Sequence, residues 1–90
     1  MYILTLYGRE KEGAYSVRNS NGEQIVYLFQ EEDDAVRYAM LLEEDDYPEM
    51  HVIEIEDEII IKACDIHDYQ YTIITSEDIV IPPKMSSKFI

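Results

Sequence analysis

Short apolar runs alternate with polar breaks along the chain, and the period within each run points to its element. Tyr2–Tyr7 carries Ile3, Leu4 and Leu6 and stops at Gly8, the pattern of a first strand. Arg9–Gly13 is a polar loop, and Ala14–Arg18 alternates with Tyr15 and Val17 on one face. Asn19-Ser20-Asn21-Gly22 is a turn signal, because Asn and Gly tolerate positive φ. Gln24–Phe29 is apolar on both faces, which predicts a central strand.

From about residue 32 to 45 the period changes to that of a helix. Ala35, Ala39 and Leu42 share one face, with Val36, Tyr38 and Met40 at its margins and Arg37 outward. Tyr47-Pro48 stops the helix, since a residue before proline avoids helical dihedrals. Met50–Ile55 alternates again, His51, Ile53 and Ile55 against Met50, Val52 and Glu54. Glu56–His67 admits two readings. Ile59-Ile60-Ile61 has strand propensity, whereas Ile60, Ala63, Cys64 and His67 fall at helical spacing behind Asp57 as a cap. We read it as a helix. Tyr71–Thr75 is the last clear strand, and Ile79-Val80-Ile81 adds a short edge. Pro82-Pro83 then ends regular structure, and Lys84–Ile90 is a weakly basic, frayed tail.

The order strand, hairpin, helix, strand, helix, strand predicts an α+β fold. Its strand–helix–strand steps should be right-handed crossovers between parallel strands. The expected architecture has two layers: a four- to five-stranded mixed sheet with two helices on one face, because two helices do not easily cover both faces of so small a sheet. The other face would then be a contact surface or lie under loops. Ninety residues suit one modest core, giving a single domain over 1–83 and a short tail over 84–90.

Charge changes the picture most. The net charge is −13. Residues 1–30 hold three bases and three acids, residues 31–58 thirteen acids and one base, and residues 59–90 four acids and three bases. The excess therefore sits on the first helix and the strand after it, which bears on surface potential and partners rather than on fold. Two identical tetrads bracket that helix, Glu31-Glu32-Asp33-Asp34 and Glu43-Glu44-Asp45-Asp46. The first meets the positive end of the helix dipole and can cap free N–H groups. The second lies where the dipole disfavours anions, so helix stability gives no reason for it.

The run Val26-Tyr27-Leu28-Phe29-Gln30-Glu31-Glu32-Asp33-Asp34-Ala35-Val36-Arg37-Tyr38-Ala39, then Leu41-Leu42-Glu43 and Asp46-Tyr47-Pro48, carries a resemblance. With the later helix around Cys64, the Tyr69 region and the closing Pro82-Pro83, the chain resembles a small family of uncharacterised proteins from cyanobacteria and plastids, classed as a domain of unknown function. The resemblance covers most of residues 1–83 and brings no catalytic residues with it. It implies a cytosolic or stromal protein of a photosynthetic organism.

The remaining chemistry narrows the options. One cysteine, Cys64, cannot form an internal disulfide, no apolar run is long enough to span a membrane, and the start has no signal-peptide pattern. A soluble, cytoplasmic protein is the expectation. Cys64-x-x-His67 could offer two metal ligands on one helix face, with His51 needed as a third, and two ligands are not a site. Neither tetrad has the alternating acids, central Gly and closing Glu of a calcium-binding helical-hand loop. Cys64 with a histidine and an acid is a triple that any domain of this size supplies on paper. No phosphate-cradling or dinucleotide glycine motif occurs. A charge of −13 opposes direct contact with nucleic acid, although such a field could occupy a basic surface that otherwise holds it. We therefore expect no enzyme and no cofactor. The expected role is an adaptor or accessory protein whose contact residues are Arg37, Tyr38, Glu43, Glu44, Asp45, Asp46 and Tyr47, engaging a basic surface of another protein. The alternative is a regulatory domain that binds a small ligand or divalent cation at the acidic helix end.

Overall fold

The computed structural model describes residues 1–78, 80, 82 and 87–89, with the backbone alone at 12 and 87–89. The elements are β1 (Tyr2–Leu6), a tight turn at Glu10–Glu12, β2 (Tyr15–Arg18), β3 (Gln24–Phe29), α1 (Glu32–Glu44), β4 (Met50–Glu54), α2 (Asp57–Ile66), β5 (Gln70–Ile74) and β6 (Ser87–Phe89). The fold is α+β, and the strands form one mixed sheet.

The sheet is organised around β3. Each residue of a strand has one partner per edge. Ile25 pairs with Gln70 of β5 and with Val17 of β2, so those strands lie on opposite edges of β3. Phe29 pairs with Ile74 of β5 and with Tyr2 of β1, so β1 shares its edge with β2, one end of β3 each. Beyond β1 lies β4, antiparallel from Tyr2↔Glu54 to Leu6↔Met50. The β2–β3 hairpin closes on Asn19, whose Oδ1 accepts from the N–H groups of Asn21 and Glu23 at 3.0 and 2.9 Å. Gly22 supplies the positive φ of 81° that this turn needs.

This connectivity sends the two crossovers in opposite directions. From β3, α1 carries the chain past β1 to β4, and α2 then carries it back across the sheet to β5. Two crossovers of the same hand that travel opposite ways must lie on opposite faces. The cores agree. On one face Leu4, Tyr15, Phe29, Met50 and Ile74 pack with Ala35, Tyr38, Ala39 and Leu42 of α1. On the other, Ile3, Val26 and Leu28 pack with Cys64, and Ile60 and Ile61 of α2 lean on them.

The expectation of two helices on one face is thus corrected. The layers are helix, sheet, helix, with α1 on one face of the sheet and α2 on the other. The double-sided apolar run of β3 already required cover on both sides, and neighbours Ile3 and Leu4 are both buried, one in each core. A second difference is at the end of the chain. Lys84–Ile90 read as a tail, but Ser87–Phe89 forms β6 and pairs antiparallel with β2, Tyr15↔Phe89 to Val17↔Ser87. Of the edge expected at Ile79-Val80-Ile81 and the stop at Pro82-Pro83, residues 79, 81 and 83 lie outside the described residues.

Candidate functional site

α1 begins and ends differently from what its charges suggest. Glu31 is the N-cap, but no side chain caps the first turn, so the first tetrad acts on the dipole without a capping hydrogen bond. At the other end Asp46 adopts a left-handed φ of 66°. Its N–H donates to the Glu43 carbonyl at 3.1 Å, and the Tyr47 N–H donates to the Leu42 carbonyl at 3.0 Å. This is the αL cap that glycine ordinarily provides. The Tyr47 ring packs half-buried against the α1-face core, so the cap is anchored. Glu43, Glu44, Asp45 and Asp46 are all exposed, and the last turn contains no base to offset them. α2 ends the same way: Asp68 has φ 57°, and the Tyr69 N–H donates to the Cys64 carbonyl at 2.8 Å.

The seven residues expected to form one contact edge are divided by the structure. Tyr38 is 1% exposed and belongs to the core. Its hydroxyl meets that of Tyr15 at 2.9 Å, and its ring packs tilted or edge-on against Tyr15, Tyr27 and Phe29. Burial, then the Tyr15 hydrogen bond, push its pKa far upward. It cannot touch a partner, because the helix margin where the sequence placed it faces the sheet. Arg37 is exposed but engaged: its guanidinium reaches Oδ1 of the buried Asp34 at 3.1 Å. Arg37 also lines a cleft of ≈ 230 Å³ with Asp34, Leu41, Ile74 and Asp78, on the β5 side of α1. Glu43 lines a different cleft, on the β4 side. Only Glu43–Tyr47 remain together.

The β4-side cleft, ≈ 470 Å³, was not visible in the sequence as a site. Val36, Ala39 and Met40 of α1 form one wall, and Met50 and Val52 of β4 with Tyr7 form the rest. Val36, Met40 and Tyr7 are exposed, Met40 to 58%. Glu43 and Glu49 stand at its rim. The available signal was the i, i+4 pair Val36 and Met40, which reads equally as the margin of a buried face.

The groups with catalytic potential are dispersed. Cys64 is buried, and burial, then the charge of Asp65, raise its thiol pKa, the opposite of an activated nucleophile. His67 stacks on Tyr69, with ring centroids 5.4 Å apart, beside an apolar cavity of ≈ 320 Å³ that Cys64 also lines. His51 instead meets Glu10 through Nδ1 at 3.0 Å and Tyr7 edge-on. Among the described residues no three His, Cys, Asp or Glu side chains are grouped to hold a metal ion, and no helix is long and apolar enough to cross a membrane.

Comparison with family models matches residues 1–84 to a domain of unknown function, DUF3110, and the chain belongs to that family. No curated protein and no solved structure matches it.

Proposed function

We propose that this DUF3110 domain is a non-catalytic adaptor or accessory protein that docks, through the acidic C-terminal end of α1, on a basic surface of another protein. The observation that supports this is the second tetrad. Four exposed acids occupy a helix terminus where the dipole opposes them, on an αL cap that would suit glycine better than Asp46. Neither the fold nor the helix gains from them, whereas an encounter with a basic partner does, through faster association. Tyr47 contributes by anchoring the cap, and its exposed part rims the surface. Tyr38 drops out of the contact, and so does Arg37, which holds Asp34 on the β5 side of α1.

The setting we propose is the cytoplasm or stroma of a photosynthetic cell. The test is a pull-down with the intact chain from a cyanobacterial lysate, eluted over a salt series. A docked basic protein should be released steeply between low and moderate salt, as the screening length shortens from about 30 Å at 0.01 M to about 8 Å at 0.15 M. A partner held equally at all salt concentrations contradicts docking by charge.

A second reading, a ligand site, has one observation in its favour. Among the described residues, Oδ2 of the buried Asp34 has no hydrogen-bond partner, and Asp34 lines the cleft beside Arg37. On this reading the ligand would sit at the start of α1 rather than at its acidic C-terminal end. A rise in melting temperature with micromolar divalent metal or with amine-bearing metabolites, absent with sodium at equal ionic strength, would favour it.

A further inference from the structure

We propose that the outer edge of β4 is a strand-addition site. Its occupant is an extended segment of a partner protein, with apolar residues at alternate positions and Lys or Arg at both ends. The inference rests on the acidic docking reading but moves the specific contact from the helix end to the sheet edge.

The hydrogen-bond phase of β4 carries the argument. The Tyr7 N–H donates to the Glu49 carbonyl at 3.0 Å, and the Ile55 N–H donates to the Met1 carbonyl at 2.8 Å. In the register that pairs Ile3 with Ile53 and Thr5 with His51, the odd-numbered residues of β4 therefore exchange bonds with β1. The even-numbered residues Met50, Val52 and Glu54 direct their N–H and C=O groups the other way. No described strand pairs with that edge. Met50 and Val52 lie on the α1 face, under the exposed pair Val36 and Met40. An unpaired strand edge beside an apolar groove walled by a helix suits strand addition: the backbone supplies the bonds, and every second side chain enters the groove.

Charge selects the occupant. α1 runs antiparallel to β4, so the groove has acids at both ends. Glu43 and Glu49 stand at the Met50 end. Glu54 stands at the other, its carboxylate 3.5 Å from the Tyr2 hydroxyl, and the first turn of α1, with Glu32, points to the same end. Eleven helical steps from Glu32 to Glu43 cover about 16 Å, and a five-residue strand covers about the same. A short apolar strand with a base at each end therefore spans acid to acid. A second copy fits badly, because pairing two such edges would bring the same glutamates together on chains of net charge −13.

The probe is a fluorescein-labelled peptide, Lys-Arg-Val-Thr-Val-Thr-Val-Arg-Lys, titrated against the full chain at low salt. Binding should weaken about tenfold or more in Val52→Pro, which removes an outward-facing N–H and breaks no bond to β1, although it also replaces a groove side chain. The same loss is expected for Val36→Gln with Met40→Gln, two exposed helix positions that leave the fold intact if proline does not. In exchange experiments the Met50, Val52 and Glu54 amides should slow on adding peptide, while His51 and Ile53 are slow already. A Gln version of the peptide should bind weakly. Unchanged affinity in both variants, or unchanged exchange at Met50, Val52 and Glu54, overturns strand addition. Loss of binding only when Glu43, Glu44, Asp45 and Asp46 are neutralised overturns it too, and leaves charge docking standing. A dimer of the free chain that Val52→Pro abolishes would give the edge to a second copy and also overturn the proposal.

Discussion

Replacing Asp46 by glycine should stabilise the protein, and the reason separates two effects. Asp46 holds a φ of 66° at the end of α1. A left-handed conformation costs an L-residue about 1–2 kcal/mol, with aspartate at the lower end because its short polar side chain tolerates it. Glycine removes that cost but restores about 0.4–1 kcal/mol of unfolded-chain entropy. Losing an anion from the helix C-terminus adds a few tenths of a kcal/mol, about 0.3 at low salt. The net gain for Asp46→Gly is about 0.3–0.9 kcal/mol, or a rise in melting temperature of about 1–7 °C for a domain of this size. Asp46→Ala removes the same charge but keeps the Cβ, so it should be no more stable than the wild type and about 1 kcal/mol below the glycine variant. Asp46→Asn should fall between them. Thermal unfolding by circular dichroism, at low and moderate salt, reads all three. If alanine stabilises as much as glycine, charge repulsion rather than backbone strain dominates this terminus and the dihedral argument is wrong. Asp68→Gly, at φ 57° on α2, should behave alike and add independently, since the helices pack on opposite faces.

Other perturbations test the core and the clefts. Tyr38→Phe removes the 2.9 Å hydroxyl pair with Tyr15 and should cost about 1 kcal/mol in denaturant melts. Tyr38 also sets an alkaline limit. Its folded pKa is raised, chiefly by burial, so its contribution is intact below the unfolded value of about 10 and is lost as pH climbs above it. Stability measured from pH 8 to 11 should be flat and then fall by up to about 1.4 kcal/mol per pH unit from this residue, with Tyr38→Phe flattening the decline. Arg37→Ala deprives the buried Asp34 carboxylate of its ion-pair partner and should cost about 1–2 kcal/mol, the exposed guanidinium discounting the full buried-pair penalty. A double-mutant cycle with Asp34→Asn should recover part of that loss. Cys64 should resist alkylation in the folded chain and react on unfolding; fast reaction of the native thiol would contradict its burial and raised pKa.

The elements were legible because their periods are local. β3, β4 and both helices fell within a residue or two of their observed limits, even at Ile59-Ile60-Ile61, where strand propensity lost to helical spacing around Cys64. The layering was not legible by counting helices against sheet area. It comes instead from strand order, which depends on the long-range pairs Tyr2↔Glu54 and Ile25↔Gln70. β6 was missed because Ser87–Phe89 has no apolar period of its own and is a strand only through its pairing with β2. Of the candidate contact residues, Tyr38 misled because tyrosine at a helix margin suits an interface or a core equally, and the Tyr15 hydroxyl that decides between them is 23 residues away in sequence. The Asp-Tyr step that ends each helix, Asp46-Tyr47 and Asp68-Tyr69, was a readable signal for an αL cap with an aromatic behind it, and only the proline after Tyr47 drew attention.

The most direct measurement is a paired pull-down at low salt, identified by mass spectrometry, with the intact chain and a variant in which Glu43 and Glu44 become Gln and Asp45 and Asp46 become Asn. Docking through the acidic end of α1 predicts a basic protein captured by the first bait and lost by the second, with both baits equally folded by circular dichroism. The same protein captured equally by both would contradict the claim, and would show that the tetrad takes no part in binding.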